Sequence, residues 1–471
     1  MLQVGDNRRA RWRNGIPAMP DLSVPWWKRT LTNPWLWITL AVVAGCTALW
    51  FYFIDRLAGT REVVLGPEKI VDVTVTRDMI WDLALPGALP TWLVLVGIFF
   101  LIASFGRARL SALIIATAWG ASVSTELALH INNWFYSRLT NLGGYGDMAS
   151  AVFSAPFGEE LTKATVVFVL LIFLRYRLVT AMDIVPLAGL SAVGFAFTEN
   201  LLYFTNMIAS IVGYQEAGAG VDLNTYLDEL IFLRGFATAF AHPLFTAMTA
   251  IGVVVALRAR SKLVRVLAPV AGYLFAVLLH ALWNGMAGSE SAELMYKIVA
   301  LPLLVATIGL LVIAYIRHVG RVRERLVDYG RMGWLKPTDP KMFSSPWKIF
   351  SARWRAAWLL FRPNFTTSVR RLAGTWRMQY LMFELAYLRD SMVRGIVDQA
   401  GLTREKALLL EIRSLREIAI DEPGGPVDYP GRAWLRRWRE RRRGGPAAAP
   451  ELEEPAGAQP IRPRPQPARD L

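Results

Sequence analysis

Long apolar segments separated by short polar ones dominate the first two thirds of the chain. Four of these segments contain no Asp, Glu, Lys or Arg: residues 34–54, 83–104, 235–257 and 298–316. Each is about long enough to cross roughly 30 Å of hydrocarbon at about 1.5 Å per helical residue. Less uniform apolar segments lie between them, at residues 108–125, 161–174, 184–209 and 266–289. The pattern predicts an all-α protein, a polytopic transmembrane helical bundle of about eight spans.

The pattern changes after residue 316. Between residues 366 and 420, apolar residues recur at helical spacing among charges, which predicts two or so amphipathic helices. From residue 421 onward Pro, Gly, Ala and Arg prevail, and such a segment has too few apolar residues to fold. We predict four regions: a basic cytoplasmic N-terminus (1–33), an eight-span membrane domain (34–316), a basic cytoplasmic amphipathic helical region (317–420) and a disordered tail (421–471).

Charge adds an orientation to this picture. The chain carries a net charge of +15, although only 19% of its residues are charged. Arginines and lysines concentrate in alternate connections between spans: Arg107 and Arg109, Arg175 and Arg177, and residues 258–265. By the positive-inside rule, both termini are cytoplasmic, as in a multi-pass plasma-membrane protein. The basic C-terminal region would contact anionic lipid or a cytoplasmic partner, and we expect no nucleic acid. Cys46 is the only cysteine, which excludes an intrachain disulfide and a cysteine-rich zinc site.

Ionisable residues inside the predicted spans are candidates for function, because burying a charge in the bilayer is costly. They form four clusters: Glu159, Glu160 and Lys163 in span four; Glu199 and Asn200 in span five; His242 in span six; His280 and Asn284 in span seven. Each cluster alone has a structural explanation, such as acids at a helix N-terminus or a hydrogen-bonded core histidine. Arg234 fits either an interfacial anchor or a carboxylate partner. Since successive spans alternate in direction, all four clusters fall in the outer half of the membrane.

Two chemistries suit this layer of residues. Imidazoles and carboxylates are ligands for a divalent ion such as zinc, which would activate a water for hydrolysis of a peptide bond. A buried glutamate could also activate water without metal, while His and Asn steady the oxyanion. The residue types do not decide between the metal-dependent and the metal-free mechanism. The candidate catalytic residues are Glu159, Glu160, Lys163, Glu199, Asn200 and Asn284, and the candidate metal ligands are His242, His280, Glu199 and Glu160.

The four clusters, taken in order, resemble the PrsW family of intramembrane metalloproteases, which is related to CAAX-prenyl and bacteriocin-processing membrane proteases. The resemblance rests on EExxK at Glu159, GFxxxEN ending at Asn200, His242 with Phe245, and HxxxN at His280. It implies cleavage of membrane-anchored, single-pass substrates on the outer side, with anti-sigma factors as the substrate class. It also implies that Glu159 and Glu160 are catalytic or ligating.

Two other functions compete with the protease. A transporter or proton-coupled channel also uses Glu, His and Lys inside spans. It would usually show inverted repeats and a polar path through both leaflets, whereas spans six and seven are apolar in their inner halves. A non-catalytic scaffold with a basic tail is the second alternative. The four intact motifs favour the membrane-embedded peptidase.

Overall fold

The computed structural model describes residues 26–66, 69–139, 150–174, 178, 180–218, 220, 222–286, 292–361, 364–393 and 399–420. The N-terminus up to residue 25, the loop arginines Arg175 and Arg177, and the predicted disordered tail lie outside the described residues. The chain divides into two compact units. Asp21–Val312 is called the membrane unit here, and Ile313–Leu471 with Met1–Pro20 is called the C-terminal unit.

In the residues that the structure describes, the membrane unit consists of helices and one β-hairpin. Its elements are α1 (Trp26–Leu31), α2 (Pro34–Leu57), β1 (Gly59–Gly66), β2 (Lys69–Val75), α3 (Arg77–Ala103), α4 (Leu110–Arg138), α5 (Ala155–Leu174), α6 (Ala181–Glu216), α7 (Leu223–Ile231), α8 (Ala241–Arg258), α9 (Lys262–Met286), α10 (Ala292–Met295) and the first part of α11 (Leu301–Arg331), which continues into the C-terminal unit. Turns of π-helix occur within or beside these helices at Ile80–Ala84, Gly120–Ser124, Ser150–Ser154, Phe232–Ala237 and Tyr296–Ala300.

The helices confirm the predicted all-α polytopic bundle. Among the described residues, seven helical segments are long and apolar enough to cross a membrane: Pro34–Leu57, Arg77–Ala103, Leu110–Arg138, Ala181–Glu216, Thr225–Arg258, Lys262–Met286 and Tyr296–Arg331. The 20-residue helix α5 has the length of a span but carries Glu159, Glu160 and Lys163. These three charges exclude α5 from the seven candidate spans. The predicted number of about eight spans counts α5 as a span.

Two predicted loops contain regular structure. Within residues 55–82, β1 and β2 pair antiparallel from Gly59 opposite Val75 to Gly66 opposite Lys69. The hairpin buries Val63 and Val73, which contact α6 at Gly213, so tertiary packing stabilises two short strands. Helix α4 also continues to Arg138, beyond the predicted end of its span at residue 125. The apolar segment ends at residue 125 because polar residues follow, but these polar residues continue the helix.

Helix α6 lies at the centre of the membrane unit, and most of its length is buried. It begins at a capping box in which Thr180 and Asp183 satisfy each other's backbone amides. Its backbone touches that of α4, because a Cβ atom added at Gly194 would lie 2.2 Å from the carbonyl oxygen of Thr117. Glycine is therefore required for this helix contact, which fixes the position of the second half of α6.

A similar contact joins α8 and α9. A Cβ atom added at Gly252 would lie 2.3 Å from the carbonyl oxygen of Ala268, and one added at Gly272 would lie 2.6 Å from that of Met248. Buried apolar side chains, including Phe245, pack nearer the start of α8. The two helices that carry the predicted histidines are thus held at close distance.

The C-terminal unit is helical as well. After the end of α11 its elements are α12 (Asp339–Phe343), α13 (Pro346–Trp358), α14 (Phe365–Val393) and α15 (Gln399–Leu415). The apolar residues that predicted an amphipathic helix near residue 385 are buried on α14, among them Leu381, Phe383 and Leu385. Helix α13 begins 20 residues before the range in which the sequence pattern predicted helices.

Candidate active site

The first turns of α5 present three charged side chains. Spacings of three and four residues bring Lys163 beside both carboxylates on one side of the helix. Its Nζ donates to Glu160 Oε1 at 2.9 Å and to Glu159 Oε2 at 3.3 Å. Lys163 and Glu160 are fully buried, and Glu159 is 6% exposed. Charges buried this completely need partners from other helices.

Helix α8 supplies the first partner. The chain is not helical at residues 238–240, and α8 starts at Ala241, with Pro243 in its first turn where a proline is tolerated. This start places His242 at the top of α8. Its Nδ1 lies 3.0 Å from Lys163 Nζ, and its Nε2 lies 2.9 Å from Glu199 Oε2 on α6. His242 therefore connects the charged groups of α5 to those of α6.

Helix α9 supplies the second partner. His280 Nδ1 lies 3.1 Å from Glu160 Oε1, and His280 Nε2 lies 3.8 Å from Glu159 Oε2. Thr246, one turn after His242, donates its hydroxyl to Glu160 Oε2 at 2.8 Å. Four helices thus converge on one buried cluster of predicted residues.

Two residues around the cluster were unassigned or overlooked in the sequence. Arg234, in the π-helical turn before α8, donates to Glu199 Oε2 at 2.5 Å and to Asn200 Oδ1 at 2.9 Å. This confirms its reading as a carboxylate partner. Thr246 was overlooked, although its position four residues after His242 puts it on the same face of α8.

Asn284 takes a different place. Its amide donates to the carbonyl of Ala151 at 2.9 Å, in the π-helical turn that precedes α5. Asn284 lies on the same helix as His280. However, it binds the turn that leads into α5 and not a carboxylate of the cluster. Among the predicted residues, Asn284 is the one whose hydrogen bond leads away from the buried charges.

A small cleft of about 30 Å³ borders the cluster at His242. Its lining includes Thr91, Trp92, Phe197, Asn200, Arg234 and Trp283. The walls combine apolar and polar groups, and the polar ones include the guanidinium of Arg234, the amide of Asn200 and the imidazole of His242.

The cluster also offers a set of metal-binding donors. Glu159, His242 and His280 each provide one ligand atom, and these atoms lie within 4.8 Å of one another. Two imidazoles and a carboxylate form the protein ligands of some catalytic zinc sites, so the donor set fits a divalent ion. The two ring nitrogens of His242 lie within hydrogen-bond distance of Lys163 and Glu199. A metal ion bound by His242 would therefore replace one of these hydrogen bonds.

The predicted ligands Glu160 and Glu199 stand outside this group of three. Each contacts a histidine instead, Glu160 at His280 Nδ1 and Glu199 at His242 Nε2. Carboxylates in such positions orient the imidazole of a metal-binding histidine. The cluster thus contains three glutamates beside two cations, Lys163 and Arg234. This surplus of carboxylates supplies ligands for a bound cation.

A cluster of ionisable residues inside a polytopic bundle marks a functional site in the membrane. Residues 108–308 match the model of the PrsW family intramembrane metalloprotease. The predicted resemblance is confirmed over this region, which contains every residue of the cluster. No curated protein and no solved structure matches the chain significantly.

Proposed function

We propose that the chain is an intramembrane protease that hydrolyses peptide bonds of membrane-anchored proteins near the outer leaflet. The observation that carries this proposal is the meeting of Glu159, Glu160 and Lys163 with His242 and His280 in a buried cluster beside a cleft. The family match supports a membrane peptidase in the same region. The outer position rests on the distribution of loop charges.

In the mechanism we favour, Glu159, His242 and His280 would hold a divalent ion, and the types of ligand suit zinc. When bound, the ion would supply an activated water and polarise the scissile carbonyl. Glu160 fixes the ring of His280 through Nδ1, which leaves Nε2 directed at Glu159. Glu199 fixes His242 from the other side of the cluster.

The remaining polar residues serve the substrate and the scaffold. Asn200 and Arg234 line the cleft and would contact the substrate backbone. Lys163 holds Glu160 ionised and oriented, because its ammonium is 2.9 Å from that carboxylate in a site without solvent. Asn284 positions the start of α5 through Ala151.

A metal-free mechanism is the second candidate, and the position of Lys163 favours it. The ammonium already lies between Glu160 and His242, where it balances carboxylate charge without a metal. In this mechanism Glu159 takes the proton from a water, and the imidazole of His280 steadies the oxyanion. Metal analysis of the purified protein separates the two candidates.

Single-pass membrane proteins are the proposed substrates, with anti-sigma factors as the class that the resemblance implies. To test this, a library of tagged single-pass proteins is co-expressed with the parent chain or with His280→Ala. His130→Ala is the matched control, because His130 lies on α4 with an exposed side chain paired to Glu126. We expect cleavage near the outer membrane boundary by the parent and by the control, but not by His280→Ala.

Zinc bound to the purified parent and lost from His280→Ala would support the metal mechanism, whereas cleavage by a zinc-free parent would support the glutamate mechanism. Cleavage that persists in His280→Ala would remove the basis of the protease proposal. The absence of any cleavage by a folded parent, together with ion flux in proteoliposomes, would favour a transporter instead.

A further inference from the structure

Helix α13 of the C-terminal unit carries a row of exposed aromatic side chains. Trp347, Phe350, Trp354 and Trp358 recur at intervals of three and four residues, and Phe361 follows in the 3₁₀ turn after the helix. Their exposed fractions range from 43% for Trp358 to 84% for Phe361. We call these five residues the aromatic face.

The spacing places the aromatic face on one side of α13, because residues three and four apart share a side of a helix. The other side is buried and includes Ile349, Ala352 and Ala356. Neighbouring rings contact each other: the centroids of Phe350 and Trp354 are 6.4 Å apart. The helix is therefore already packed on its unit, and the exposed aromatic rings are not needed for that packing.

The stretch of sequence that contains this face carries charge of a single sign. Residues 340–383 contain eight lysines and arginines and no aspartate or glutamate. Lys341 and Arg370 are exposed, and Arg353 lies over the ring of Trp376 at 4.0 Å. A contiguous exposed apolar row marks an interaction surface, and the basic surroundings select a partner with negative charge.

We propose that the aromatic face binds the surface of an anionic lipid bilayer. Tryptophan prefers the boundary between headgroups and acyl chains, where its ring is partly apolar and partly hydrated. Lysines and arginines next to it reach lipid phosphates, each contributing about 1 kcal/mol near an anionic surface. The C-terminal unit begins inside a helix whose apolar part is a candidate span, so the unit is tethered to a bilayer.

The inference is independent of the protease proposal, since it concerns only the C-terminal unit. The experiment uses the full chain with Cys46→Ala, which removes the only cysteine, and with Trp354→Cys labelled by an environment-sensitive fluorophore. The protein is placed in nanodiscs of phosphatidylcholine alone or mixed with phosphatidylglycerol. We expect a blue-shifted emission and quenching by spin-labelled lipid in the mixed discs, with loss of most quenching in phosphatidylcholine or at high salt.

Lys406→Cys on the same background is the matched control, because Lys406 is exposed on α15 outside the aromatic face. Its label should show no quenching in either lipid. Adding Trp347→Ser and Phe361→Ser to the Trp354→Cys chain should reduce the quenching, while both substitutions lie at exposed positions that the fold tolerates. A label at position 354 that is not quenched in mixed discs would overturn the proposal. A blue-shifted emission without quenching would show that protein, not lipid, covers the face.

Discussion

Both units bury charged side chains, but they balance these charges in different ways. In the C-terminal unit, Arg416 holds Asp339 with both terminal nitrogens, one at 2.9 Å from Oδ1 and the other at Oδ2. In the membrane unit, Glu159 and Glu160 share the ammonium of Lys163. One carboxylate has one guanidinium in the first case, whereas two carboxylates compete for one cation in the second.

The difference separates a structural use of buried charge from a chemical one. A bidentate arginine–carboxylate pair is strong, geometrically fixed and electrically neutral, so it contributes to the fold and leaves nothing over for reaction. A cluster with surplus carboxylate and two histidines retains groups that can bind a cation or accept a proton. Substitutions should therefore have opposite consequences in the two units, on activity in one and on stability in the other.

The largest expected effect is on activity, from Glu160→Gln. The amide keeps the shape of the carboxylate and can still accept from Thr246, but it loses the charge that faces Lys163 and His280. Cleavage should fall by about 10²-fold, as for loss of a carboxylate that orients a metal-binding histidine. The thermal unfolding midpoint should fall less than if Lys163 were left without any carboxylate, because Glu159 still accepts from Lys163 when the charge of Glu160 is lost. Reporter cleavage and thermal unfolding of the same preparation measure both, and a variant that cleaves at the parent rate contradicts the comparison.

The next largest effect is on stability, from Asp339→Asn. The substitution removes the charge opposite Arg416, and breaking a buried pair in this way costs about 3 kcal/mol. Hydrogen exchange of α14 and α15 amides should speed up, while reporter cleavage stays at the parent level. Glu324→Gln serves as the control, because that side chain is 63% exposed and should change stability by less than about 0.5 kcal/mol. Unchanged exchange in Asp339→Asn would show that the pair is not structural.

The sequence predicts the residues of the site better than their arrangement. Uncharged segments predict the positions of the helices. The depth of the polar residues within the spans predicts that Glu159, Glu160, His242 and His280 lie in one layer of the membrane. Which carboxylate joins the histidines depends on the rotation of α5 about its axis. Adjacent residues such as Glu159 and Glu160 point about 100° apart on a helix, and the pattern of α5 does not fix that angle.

Features that depend on contacts between distant segments were also beyond the sequence pattern. The hairpin β1–β2 has strands of eight and seven residues, and its buried valines pack against α6 rather than on a sheet of their own. The role of Arg234 depends on the π-helical turn Phe232–Ala237, which turns its side chain towards Glu199. Local periodicity carries no information about either contact.

A third prediction concerns how each unit positions its charges. The membrane unit relies on close helix contact, and Gly194→Val would force α4 and α6 apart at Thr117. Overpacking of this kind costs about 1–3 kcal/mol and should also lower cleavage, because Glu199 follows on the same helix. Gly97→Val is the control: nothing lies within 4 Å of a Cβ atom at Gly97 on α3. Thermal unfolding and cleavage should be normal in this control, and equal losses in the two variants would argue against a specific contact.

The smallest expected effect is a pH dependence within the C-terminal unit, at a buried carboxylate that is hydrogen-bonded to a phenol. Glu405 on α15 accepts from the hydroxyl of Tyr329, and burial raises the pKa of its carboxyl above the usual 4.5. Because the folded-state pKa is the higher one, its contribution to stability is complete below about pH 4.5 and is lost as the pH rises through the folded-state pKa. Glu405→Gln should flatten this decline, so that exchange of α15 amides becomes slower than in the parent at neutral pH and similar to it in acid. An unchanged pH profile in the variant would assign the dependence to other groups.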